Sequence, residues 1–146
     1  MGNFALVRRT DAKPETVFSV LTDHRAFPEY TPIRRAELER EGEGDPNGLG
    51  AIRVFHLAGP PLREEVIAYE PPRRFAYRML SGLPVRDYVG TVTIEPDGAG
   101  SRVVYAVDIT PKLALSGPVL IGGTKVAIRQ LLGGVIAEAE RREARA

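Results

Sequence analysis

The densest run of reactive side chains is "VRDYVG" (85–90), where Arg86, Asp87 and Tyr88 are consecutive. An arginine can hold a carboxylate or stabilise an enolate, and a histidine, carboxylate or tyrosine can move a proton. Arg86, His56 and Glu65 are therefore the candidate catalytic groups, suited to acid/base work on a carbonyl compound. Each has an ordinary reading beside it. An arginine near a strand end commonly snorkels at the rim of an apolar surface. A buried tyrosine is commonly cavity wall with its hydroxyl satisfied nearby. Glu64 and Glu65 are neighbours on one strand, so one of the two must face outward.

Other chemistries find no support. The chain has no cysteine and two histidines, His24 and His56. Thiolate nucleophiles and cysteine-held metals are excluded, and the carboxylates show no ligand spacing, so neither a metal nor another cofactor is expected. "GPVLIGGTK" (117–125) has glycines before Thr124 and Lys125 but does not match the phosphate-loop pattern. Lys and Arg number 20 against 19 Asp and Glu, and no basic run exceeds two residues, so no nucleic-acid partner is expected. No apolar stretch reaches the roughly 18 residues of a membrane span, and the first residues lack a signal-peptide pattern. The expectation is one cytoplasmic domain over 1–146, monomeric or homodimeric, with at most transient membrane contact.

These groups need elements to position them. "NFALVRRTD" (3–11) reads as a first strand. "AKPETVFSVLTD" follows, with Pro14 suited to the first helical position and Glu15 to the positive end of the helix dipole. Asp23 can cap a second short helix that Pro32 stops. From Arg34 to Thr110 the turn signals "EGEGDPNG", "AGPP", "EPPRR", "SGLP" and "PDGAG" separate six strands, at about 34–42, 49–57, 62–70, 74–80, 85–95 and 102–110. One long helix then runs from Pro118 to about Glu143. Leu120, Ile121, Ala127, Ile128, Leu131, Leu132 and Val135 share its apolar face, with Thr124 among them. This is an α+β chain. Its seven-stranded antiparallel sheet must bury the helix against one face, and a curved sheet around a helix leaves space between them.

Hairpin pairing assigns the faces. A four-residue "SGLP" loop sets Leu80 opposite Val85, Arg78 opposite Asp87 as an ion pair, Tyr77 opposite Tyr88, and Phe75 over Gly90. The "EPDGAGSR" turn sets Ile94 opposite Val103 and Val92 opposite Tyr105. Tyr77, Tyr88, Val92, Ile94, Val103, Tyr105, Val107 and Ile109 then share the core face. Arg78, Asp87, Thr91, Thr93, Arg102 and Asp108 meet water. Further out, Leu57 near Leu62 sets Ile52, Val54 and His56 against Ile67, Glu65 and Arg63. With Tyr69 opposite Phe75, this places Glu65, Ile67 and Tyr69 inward, and Glu65, His56, Arg63 and Arg86 on the concave side. A bulge in these strands would reverse that assignment.

The segments "PETVFSVLTDHRAFPEYTP", "REEVIAYEPPRRFAYRML" and "LPVRDYVGTVTIEPDGAGSRVVYAVDITP", with the closing helix, resemble the polyketide cyclase/dehydrase and lipid-transport family. That family belongs to the START-like, helix-grip superfamily that includes the birch-pollen-allergen-type proteins. The resemblance implies a helix-grip fold with an apolar cavity between sheet and long helix. It implies binding or transport of a hydrophobic small molecule, such as a lipid, quinone or polyketide-like aromatic. The alternative it implies is a cyclase, aromatase or dehydratase reaction in the same cavity. No fixed catalytic motif carries over. The expected cavity wall is Val54, His56, Ile67, Tyr69, Tyr77, Arg86, Tyr88, Val92, Tyr105, Val107, Thr124, Ile128 and Leu131.

Overall fold

A computed structural model describes residues 2–146. Strand β1 (Gly2–Thr10) leads into helix α1 (Pro14–Leu21) and a 3₁₀ turn (His24–Glu29). Strands β2 (Arg35–Arg40), β3 (Ile52–His56), β4 (Leu62–Glu70), β5 (Arg74–Ser81), β6 (Val85–Asp97) and β7 (Gly100–Pro111) follow. A short 3₁₀ turn (Ala114–Ser116) opens helix α2 (Gly117–Arg145). The seven strands form one antiparallel sheet in the order β1-β7-β6-β5-β4-β3-β2. Pro14 begins α1, and Asp23 precedes the 3₁₀ turn without a side-chain cap bond.

The β6–β7 register is the expected one, with Ile94 opposite Val103 and Val92 opposite Tyr105. Their inward residues Tyr88, Val92, Ile94, Val103, Tyr105, Val107 and Ile109 are all buried. They pack on α1 and on Ile128, Leu132, Val135, Ile136 and Ala139 of α2, which forms the main core.

Three expected pairings are corrected. First, β5 and β6 are offset by two residues, so Tyr77 faces Gly90 and Phe75 faces Val92. The even offset keeps each side chain on its expected face. Tyr77, not Phe75, covers Gly90, where a Cβ would meet the Tyr77 ring at 2.5 Å. Arg78 does not pair with Asp87; its ion-pair partner is Glu65, at 2.7 Å. Second, β3 and β4 are also offset by two, with Ile52 opposite Glu65 and Val54 opposite Arg63. Third, bulges interrupt β4 between Val66 and Ala68 and β6 between Val85 and Asp87. Each extra residue reverses the faces beyond it. Glu64 and Val66 consequently point inward, while Glu65, Arg63 and Ile67 point outward. The β6 bulge leaves Arg86 exposed.

Helix α2 also departs from expectation. The stretch Ala114–Arg145 holds an 18-residue window of mean hydropathy 1.4, long and apolar enough by composition to cross a membrane. Its glycines and scattered apolar residues hide this from a search for an uninterrupted run. In this structure 22% of that window is buried, and Ile128, Leu132, Val135, Ile136 and Ala139 of the helix pack into the core.

Candidate functional site

A cavity of about 410 Å³ lies between the sheet and the N-terminal half of α2. Its roof is Val119, Leu120, Gly123, Thr124, Ala127, Ile128 and Leu131 of α2. The β3–β4 loop contributes Leu57, Ala58 and Pro60, and the β5–β6 loop contributes Gly82 and Leu83. At its edge Val119 is 81% exposed.

The floor is different. Arg53 of β3 and Glu64 of β4 face each other across the strand pair, both pointing inward and only 3% and 4% exposed. Arg53 Nε and Nη2 each lie 2.7 Å from the same oxygen, Glu64 Oε1. Glu64 Oε2 has no hydrogen-bond partner among the described residues. Arg53 Nη1 is 3.2 Å from His24 Nδ1, and His24 Nε2 is 3.0 Å from the Asn47 carbonyl. A carbonyl only accepts, so Nε2–H donates to it, and the bare Nδ1 accepts from Arg53. The guanidinium also lies 4.5 Å from the Tyr77 ring centroid and 4.7 Å from that of Phe55, within cation–π range.

Three tyrosines complete the floor. The Tyr77 hydroxyl is 2.6 Å from that of Tyr105 and 3.2 Å from that of Tyr88. Burial drives all three hydroxyls well above the ordinary tyrosine range, so all are protonated. Burial also pushes the Glu64 carboxyl up, against the pull of Arg53. Burial opposes the Arg53 charge, but Glu64 and the tyrosines outweigh it and hold the guanidinium above its ordinary value. His24 falls well below the usual histidine range, through burial and then the Arg53 charge, and is neutral.

Of the expected wall, Tyr77, Tyr88, Tyr105, Thr124, Ile128 and Leu131 line this cavity. Val92 and Val107 are sealed in the core behind it. Tyr69 lies at a separate open hollow with Phe18, Asp45 and Pro71. Val54, Ile67, His56, Glu65 and Arg86 do not line the cavity. His56 bonds Glu37 at 2.6 Å, and Glu65 bonds Arg40 and Arg78. Sequence reasoning missed Arg53, Glu64 and His24. One signal was available: Arg53 interrupts the apolar run "AIRVF", and only an opposite charge on a neighbouring strand lets such a residue stay inside. Among the described residues, no group of three His, Asp or Glu side chains is placed to hold a metal.

Comparison with known proteins agrees with this architecture. The sequence profile of the polyketide cyclase/dehydrase and lipid transport family matches residues 1–140. The chain belongs to this family. A search of curated proteins finds no match. Among solved structures, an aromatase/cyclase from Streptomyces sp. R1128 superposes with a TM-score of 0.83 at 20% identity, covering 97% of this chain and 94% of that one. A START superfamily protein from Mycobacterium smegmatis gives 0.77 at 16% identity, over 93% and 97% of the two chains. The protein XoxI from Bacillus cereus gives 0.78 at 17% identity, over 98% and 99%. At these identities the likeness is one of fold.

Proposed function

We propose that this family member binds an apolar small molecule, a lipid, quinone or polyketide-like aromatic, between the sheet and α2. One observation carries the reading: a cavity of about 410 Å³ is walled and roofed by aliphatic side chains, with its fixed charges confined to the floor. That size lies within the roughly 300–1,000 Å³ of small-molecule sites, and apolar walls with a few placed polar groups are their usual make-up. The family description and the aromatase/cyclase and START neighbours support a hydrophobic ligand or a cyclase role without choosing between them.

Native mass spectrometry of the purified protein, followed by delipidation and thermal melts with lipids, quinones and polyphenols, tests the reading. A ligand at 100 times its Kd adds about 2.7 kcal/mol of stability by mass action. The reading fails if no compound raises the melting temperature and no ligand co-purifies.

The second reading is a cyclase or dehydratase reaction in the same cavity. Its support is Glu64, a buried carboxyl raised toward a proton-transfer role beside Arg53 and the tyrosine hydroxyls. Under it, Glu64→Gln abolishes turnover of a tethered poly-β-ketone, while Arg86→Ala and His56→Ala, both outside the cavity, leave it unchanged. Activity that survives Glu64→Gln removes this reading.

A further inference from the structure

The floor has a definite hydrogen-bonding polarity, and it bears on which polar end a ligand can bring. The argument rests on the cavity being the binding site. Arg53 is already committed: two of its nitrogens meet Glu64 Oε1 at 2.7 Å and a third meets His24 at 3.2 Å. The ion pair is neutral as a unit, so Arg53 has no uncompensated charge to offer a carboxylate. Glu64 keeps one carboxylate oxygen, Oε2, without a partner, and an ionised carboxylate is an acceptor only.

The hydroxyl chain supplies the complement. Tyr77, Tyr88 and Tyr105 share two hydrogen bonds, Tyr77 with Tyr105 at 2.6 Å and Tyr77 with Tyr88 at 3.2 Å. Either hydroxyl can donate in each pair, but two bonds use two of the three protons, so one proton is left over. Tyr88, at one end of the hydroxyl chain, lines the cavity and can carry that proton. The floor therefore offers one bare acceptor and one unspent donor.

We propose that the cavity selects neutral apolar ligands ending in an alcohol or phenol, with Glu64 Oε2 accepting the ligand hydroxyl's proton and the Tyr88 hydroxyl donating to its oxygen, and that it discriminates against carboxylates. A hydroxyl meets both groups. A ketone meets only Tyr88 and leaves Glu64 Oε2 desolvated and unpaired. A carboxylate brings a second negative charge against Glu64 in a water-poor site.

Calorimetric titration of the delipidated protein with 1-decanol, 2-decanone and decanoate tests this at about pH 8, where decanoate is ionised. The expected order is alcohol, ketone, acid, with the alcohol about tenfold tighter than the ketone and about a hundredfold tighter than the acid. Decanoate binding as tightly as 1-decanol overturns the head-group selection and leaves the apolar site standing. No heat or stabilisation from any of the three, at saturating concentration, overturns both. Two variants read the atoms separately, each checked for folding by its melt. Glu64→Gln frees the Arg53 charge and shifts the ratio of acid to alcohol affinity by at least about tenfold toward the acid. Tyr88→Phe weakens alcohol and ketone by similar factors, because it removes the donor that both use. An unaltered ratio in Glu64→Gln, in protein that melts cooperatively, also overturns the assignment, and this result does not depend on the wild-type ranking.

Discussion

The two halves of α2 do different work. From Leu132 onward the helix is an anchor. Leu132, Val135 and Ala139 are fully buried, and Glu140 and Glu143 bond Thr10 and Thr16 at 2.7 and 2.6 Å. From Gly117 to Leu131 the same helix is a roof. Only Gly117 and Ile128 are buried there, Val119 is exposed at the cavity's edge, Val126 is exposed, and the underside meets the cavity. The glycines differ as well, though Gly133 in the anchor also has open space around it. Gly134 sits where a Cβ would strike the Tyr30 carbonyl, whereas Gly122 and Gly123 stand in open space. One glycine lets the helix approach a neighbour; the other two weaken a helix that has little beneath it. The helix is thus held firmly at one end and more loosely at the other.

Five experiments break or sharpen that contrast. The largest effect is expected from Leu132→Ala, which opens a void in the anchor and lowers stability by about 3–4 kcal/mol in denaturant unfolding. Leu131→Ala, on the cavity wall one residue earlier, should cost less than about 1.5 kcal/mol and act mainly on ligand affinity. Equal losses would mean that the two halves are not distinct. Gly134→Ala should cost about 2 kcal/mol despite the better helix propensity of alanine, because the Tyr30 backbone must move. Gly123→Ala, with nothing to strike, should gain up to about 1 kcal/mol and slow ligand exchange, a sign opposite to that of Gly134→Ala in the same assay.

The smallest effect is that of acid. Arg142 holds the Glu138 carboxyl below its ordinary value of 4.5, and Thr16 does the same for Glu143. A carboxylate depressed by folding contributes stability above about pH 4.5 and loses it as the pH falls further. The roof, 117–131, contains no Asp or Glu. Amide exchange measured through pH 5 to 3 should therefore quicken in the last turns of α2 before the roof changes. Simultaneous loosening of both halves would deny the division.

Much of the fold was legible. Strand alternation and turn chemistry act over a few residues, so the strands, the long helix and the β6–β7 register were readable from "TVTIEPDGAGSRVVY" alone. The offset of two between β5 and β6 did little damage, because an even slip keeps Tyr77 and Tyr88 on the cavity side. The site was less legible. Ile67 carries no glycine or proline to announce a bulge, yet the bulge beside it turns Glu64 inward and Glu65 outward. The same happens at Arg86, which looked like the rim of the cavity and stands outside it. Arg53 and Glu64 read as surface charges until β3 and β4 are paired, and His24 is 29 residues from the arginine it supports.

The sequence by itself determined the seven strands, their closing helix and the tyrosine-lined concave face, since each follows from a local period of two or 3.6 residues. Tertiary structure alone decided which charges lie inside. A buried guanidinium is tolerable only where a carboxylate, a neutral imidazole and aromatic faces converge on it. That convergence depends on the relative register of strands and on bulges, which are set by how the sheet curves around α2 and not by any one stretch of chain.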